Sequence, residues 1–170
     1  LSGRPAETLA VIAGNRSHAA AIAEGIRVQL PNHPWATKHF RASKERFLVT
    51  SLDRLAGLQR DAIILSLGYG RTTHGKTVHD FGALSLPGGD ELFVNAVTRA
   101  RTSMTLVSAL RPQDVDLSRM RFGARRFLEL AGRVLGGDSG MIPTAAPLQD
   151  ALLTDLMVRP GIINLDFADV

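Results

Sequence analysis

Cysteine is absent from the 170-residue chain. That excludes disulfide scaffolds, thiolate zinc sites and cysteine nucleophiles. It fits a reducing compartment, and the cytoplasm is the expected location. Lysine is nearly absent too, at positions 38, 44 and 76 alone, so the net charge of +4 is carried by arginine. Arginine's planar fork suits phosphate, but a charge of +4 is also ordinary for a soluble domain. No apolar run approaches 18 residues, so no membrane-spanning helix is expected. The opening residues, Leu1 to Pro5, lack a basic-then-apolar signal layout. They also lack an initiator Met, which leads us to expect a piece of a longer polypeptide. Trp35 and Tyr69 are each the only residue of their kind. Either could stack on a base. Equally, Trp35 beside Pro34 suits a loop anchor, and Tyr69 between two glycines suits packing.

Hydrophobic residues make up 45% of the chain and charged residues 21%. These are globular proportions. The length corresponds to one domain of about 150 residues plus a short appendage, and a chain of this size buries about 70% of its unfolded surface.

The apolar run Leu9–Ala13, ended by Gly14-Asn15, predicts a buried strand. Ser17 then suits the N-cap of a helix over 18–30, stopped by Pro31 and Pro34. Residues 31–46 read as polar and irregular. Further strands are expected at 47–51, 62–67 and 104–108. The continuous apolar run at 62–67 suits a parallel strand covered on both faces. A Gly-, Thr- and His-rich loop is expected over 68–88. Gly88-Gly89-Asp90 opens a helix running to about Arg101, and another helix is expected over 123–135. Strands alternating with helices predict an α/β fold, a mostly parallel sheet flanked by helices. Residues 1–137 form the expected domain, and 138–170 a linker and tail that could begin a further one.

Two segments carry the chemistry. The first is Asn95-Ala96-Val97-Thr98-Arg99-Ala100-Arg101, which feeds a strand. On a helix, Arg99 and Arg101 would stand about 200° apart, so that one could enter a cleft while the other faces elsewhere. A basic helix end complementing the helix dipole is the plainer account. The second segment is 49–66, with hydroxyls at Thr50 and Ser51 and a glycine turn at Gly57 before the next strand. Such a layout suits backbone contacts to phosphate. It equally suits an ordinary loop between buried strands.

Together these blocks resemble the second RecA-like motor domain of superfamily 1 helicases. Gly57, Arg60, Asp61 and the strand after them match the family's fifth motif, as do Gly68-Tyr69-Gly70, Phe81-Gly82 and Gly88-Gly89. The sixth motif resembles Ala96, Thr98-Arg99-Ala100-Arg101 and the following strand. The fourth resembles Leu9–Ala13 with Asn15. The resemblance covers about residues 7–135. It implies a RecA-like P-loop NTPase fold without its own phosphate loop. Its partners would be the first RecA-like domain of the same parent chain and nucleic acid, with single-stranded DNA expected. It also implies ATP with magnesium, the phosphate loop and metal ligands coming from that first domain. Arg99 occupies the position of the arginine finger, where fixed positive charge meets developing charge on phosphate. Gly57, Gln59 and Arg101 fall at the nucleotide edge. Thr50, Ser51 and Asn15 fall where such motors touch the nucleic-acid backbone, contacts that would be independent of sequence. The chain departs from the family at Ala56, which replaces a glutamine, and at Gln59, which replaces a glutamate. In the lead into the sixth motif, Asn95 is displaced by one position. The alternative function is a degenerate RecA-like module that binds nucleic acid or protein without supporting hydrolysis.

Gly70, Gly75, Lys76 and Thr77 fit the G-x-x-x-x-G-K-S/T spacing. The residues after them, 78–82, make a poor helix and would offer phosphate no helix N-terminus. His74 and His79, with Asp80, could hold a metal, but scattered surface histidines are the plainer reading. No G-x-S-x-G nucleophile elbow occurs. The tail lacks a complete pair of nuclease motifs.

Overall fold

A computed structural model describes residues 7–70, 74–110, 112–135 and 162–166. Strands β1 (Leu9–Ala13), β2 (Leu48–Ser51), β3 (Arg60–Ser66) and β4 (Ala100–Val107) align in parallel, in the order β2-β1-β3-β4. A fifth strand, β5 (Ile162–Asp166), pairs antiparallel with β4. Helices α1 (Arg16–Gln29) and α2 (Pro34–Ala42) join β1 to β2. Helix α3 (Gly89–Val97) precedes β4, and α4 (Phe122–Leu135) follows it. This is an α/β fold of parallel strands flanked by helices, consistent with a RecA-like domain.

The apolar runs explain the layering. Side chains alternate across a strand, so a strand covered on both faces must be apolar throughout. Ala10, Ile12, Ile63, Leu65, Met104 and Leu106 point to one core, which they share with Phe93 and Ala96 of α3 and Phe127 and Leu128 of α4. Leu9, Val11, Ala62 and Ile64 point to the other, where Ile22 of α1 and Phe40 of α2 pack. The chain moves from β1 to β2 across this second face. It then returns, from β2 to β3 and on to β4, across the first. Both direction and face reverse, so the three crossovers share one hand, as parallel crossovers do.

Residues 52–59 carry the chain from the C-terminal end of β2 back to the N-terminal end of β3 without a helix. Leu52, Leu55 and Leu58 anchor this stretch in the core. The Leu58 N–H donates to the Leu55 carbonyl at 3.1 Å, closing a tight turn with Gly57 at φ +71°. Only this dihedral demands glycine, because a Cβ there would meet nothing within 4 Å.

Several expectations change. Residues 34–42, expected to be irregular, form α2, with Pro34 at a position where the missing N–H costs nothing. Trp35 therefore lies on a helix rather than in a loop, edge-on to His33. The N-cap of α1 is Asn15, not Ser17: its side chain accepts from the His18 N–H at 2.9 Å. Helix α3 stops at Val97, so Arg101 belongs to β4 and the 200° helical relation to Arg99 does not apply. Of the expected linker and tail at 138–170, all but residues 162–166 lies outside the described residues.

Candidate nucleotide edge and its opposite

The parallel sheet has two edges of different chemistry. At its N-terminal edge β3 and β4 begin side by side. Arg99 sits in the turn between α3 and β4, its N–H donating to the Ala96 carbonyl at 3.2 Å. Its guanidinium is held by neutral oxygens of one residue. Nε donates to the Asn95 carbonyl at 2.9 Å and Nη2 to Asn95 Oδ1 at 2.8 Å. Among the described residues no carboxylate pairs with it. The Arg60 N–H donates to the Arg99 carbonyl at 3.1 Å. Gln59, exposed beside Arg60, gives its carbonyl to Arg60 Nη1 at 2.7 Å. The stretch holding Gly57 and Gln59 is thereby tied to the turn holding Arg99.

Arg101 stands differently. Its Nη1 donates to Glu45 Oε2 at 2.7 Å and to Asp61 Oδ1 at 3.3 Å, and its Nη2 donates to Glu45 Oε1 at 3.2 Å. This forked pairing pushes the Arg101 pKa up, chiefly through the Glu45 contact and then Asp61. Glu45 is held below its ordinary range, first by the Arg101 hydrogen bond. At Asp61 burial opposes ionisation. The Thr8 N–H at 2.9 Å, the Thr8 hydroxyl at 2.8 Å and Arg101 outweigh it, so the net shift is down. Asp61 thus fastens the residue before β1 to the start of β3. The sequence reading matched Asp61 to a motif without a role and overlooked Glu45 altogether. Glu45 lies 16 positions before Asp61 in a polar stretch, and no spacing rule connects the two.

At the C-terminal edge lie Thr50, Ser51 and Asn15. Thr50 and Ser51 are buried. Their hydroxyls bond locally, Thr50 Oγ1 to the Arg54 carbonyl at 3.2 Å and Ser51 Oγ to Asp53 Oδ1 at 2.5 Å. Asn15 is exposed and caps α1. Asp53 also pairs with Arg16. Its carboxyl is held below the ordinary range, first by the Ser51 hydroxyl and then by Arg16. The connections reverse direction between β1 and β3, the place where open α/β sheets form a crevice for ligands. Here the Gly14 N–H donates to the Ser66 carbonyl at 2.9 Å. His18 Nε2 lies 2.9 Å from Ser66 Oγ, and burial pushes the His18 pKa down. Tyr69 stacks on Phe81 with centroids 4.7 Å apart, and burial raises its pKa. The sequence reading left Tyr69 open between packing and contact; it is half-buried in this stack.

Residues 71–73 of the phosphate-loop-like segment lie outside the described residues. The next helical element after Thr77 is a single 3-10 turn at Gly82–Ser85. Among the described residues no group of three or more His, Asp or Glu could hold a metal ion. No helix among them is long and apolar enough to cross a membrane.

No family model matches the chain. Over 86 residues, half of its length, it is 33% identical to a protein of Mycoplasma genitalium described as an uncharacterized ATP-dependent helicase. The matched stretch is 7% of that protein. The chain is therefore similar to a helicase-related region and spans a small fraction of the relative.

Proposed function

We propose that this chain is the second motor domain of an ATP-dependent helicase acting on DNA, with Arg99 as its arginine finger. The observation that carries this reading is the 3.1 Å hydrogen bond from the Arg60 N–H to the Arg99 carbonyl. It brings the two motif blocks, 39 positions apart, to one sheet edge. The similarity to an ATP-dependent helicase supports the same reading.

ATP would lie between this edge and a first RecA-like domain of the same parent. That domain would supply the phosphate loop and the magnesium ligands, and magnesium would neutralise charge on the phosphates. Arg99 would exchange the neutral oxygens of Asn95 for those of the γ-phosphate. The exchange breaks no ion pair, and an arginine fork gains more from phosphate than from neutral acceptors. Gly57 and Gln59 flank the same edge from the neighbouring turn. Single-stranded DNA would cross the opposite edge. Thr50 and Ser51 are buried, so contact there falls to exposed groups such as Asn15 and to the backbone. A second reading, a degenerate module that binds without hydrolysis, is favoured by Ala56 and Gln59, where the motor's usual glutamine and glutamate are missing.

The test is DNA-stimulated ATP hydrolysis by the full-length parent, wild type beside Arg99→Ala. An arginine finger is worth about 10³–10⁵ in rate, so the variant should lose nearly all stimulated turnover while folding normally. No stimulation in the wild type, or full activity in the variant, favours the binding module.

A further inference from the structure

Strand β4 carries a β-bulge at its entrance. Arg60 registers with Ala100, but Ala62 registers with Ser103. Arg101 and Thr102 therefore share one partner position, that of Asp61. A bulge re-aims a side chain and sharpens local twist. This one accompanies the forked grip of Arg101 on Glu45 and its further contact with Asp61.

We propose that Arg101 is a positioning residue for hydrolysis, which sets the Arg99 turn through Glu45 and Asp61 and does not itself hold phosphate. The inference rests on the motor reading above. The clamp reaches every strand entrance near Arg99. Asp61 holds Thr8 before β1. Glu45, in the lead into β2, also pairs with Arg60 Nη1 at 3.4 Å. Arg60 Nη2 donates to the Arg46 carbonyl at 2.9 Å, and the Arg60 N–H reaches the Arg99 carbonyl. The Arg99 turn is thus fixed from both sides, by its own carbonyl and by the residue two positions on.

Moving Arg101 to a nucleotide would take from Glu45 its shorter ion pair and from Asp61 its contact with a cation, next to incoming phosphate. Like charges at such range oppose binding. Arg99 faces no such cost. The two arginines of one short motif therefore divide the work, one acting on phosphate and the other holding the frame.

The test uses the full-length protein and compares Arg101→Ala, Glu45→Gln and the double variant in DNA-stimulated ATP hydrolysis. A small misplacement of a catalytic group costs up to about 10²-fold in rate. Each single variant should lower kcat on that order or somewhat less and leave KM for ATP unchanged. The double variant should be no worse than the poorer single, because both break one clamp. A raised KM in Arg101→Ala, with Glu45→Gln unaffected, would overturn the inference and make Arg101 a nucleotide ligand. Should Arg101→Ala fail to fold, Arg101→Lys decides. It keeps the charge but loses the fork, so a clamp predicts lost kcat, and retained kcat overturns it. Absent stimulation in the wild type sinks the motor reading and this inference together. Stimulated hydrolysis with a raised KM sinks this inference alone.

Discussion

The two edges of the sheet are held by different forces. The N-terminal edge is a partly buried mesh of charge, with Arg60, Arg101, Glu45 and Asp61 spanning several strand entrances. The C-terminal edge is held by close approach of backbone and rings. A Cβ on Gly14 would lie 2.7 Å from the Leu67 carbonyl oxygen, and one on Gly68, at φ +61°, would lie 2.6 Å from the His18 ring. Ion pairs that keep contact with water contribute little to stability, whereas a contact overfilled against backbone has nowhere to relax. The contrast suggests that the first edge governs geometry and the second governs folding.

Substitutions can break this comparison. Among substitutions at these two edges the largest stability loss is expected from Gly14→Ala, about 1–3 kcal/mol or more, because the obstructing atom is backbone. Gly68→Ala should cost a similar or slightly smaller amount, since the imidazole can give way but the left-handed backbone cannot. Urea unfolding measures both, and a Gly14→Ala variant as stable as wild type would refute the packing account. Glu45→Gln should shift stability less than either glycine variant, and by an amount that shrinks in high salt. A larger loss than Gly14→Ala would invert the ranking.

Acid should also single out His18 at the C-terminal edge. Burial lowers the His18 pKa from its ordinary 6.5. On acidification the unfolded chain therefore takes up the proton first, and stability falls as pH drops below about 6.5. Glu45 and Asp61 are lowered from 4.5 and 3.8. Their contribution is present above those values and disappears as pH falls through the lower, folded ones. A pH series of unfolding should show the His18 limb first, and His18→Gln should flatten that limb alone. An unchanged limb in this variant would show that His18 is not the group responsible.

What the sequence could reveal follows the same division. Strands β1 and β3 are legible because burial on both faces leaves uninterrupted apolar runs. Helix α2 is not: only Ala36 of its nine residues is buried, so it has almost no apolar stripe to read. Asn15 and Ser17 both suit a cap, and only the geometry chooses between them. The blocks around Gly57 and Arg99 are visible as motifs, yet their shared edge depends on a backbone hydrogen bond that no spacing encodes. Thr50 and Ser51 carry hydroxyls of the right kind but face inward at the strand end, which composition does not reveal. The clamp at Arg101 was hidden for two reasons. A bulge breaks the period-two alternation, and Glu45 lies in a polar stretch far away in sequence.

The central claim is that hydrolysis depends on Arg99 at one edge while nucleic acid is held at the other. Single-turnover ATP hydrolysis and single-stranded DNA affinity, measured together on full-length Arg99→Ala, test it most directly. The account predicts a fall of about 10³–10⁵ in hydrolysis with DNA affinity unchanged. Hydrolysis that persists, or DNA affinity that falls in step with it, would contradict the division.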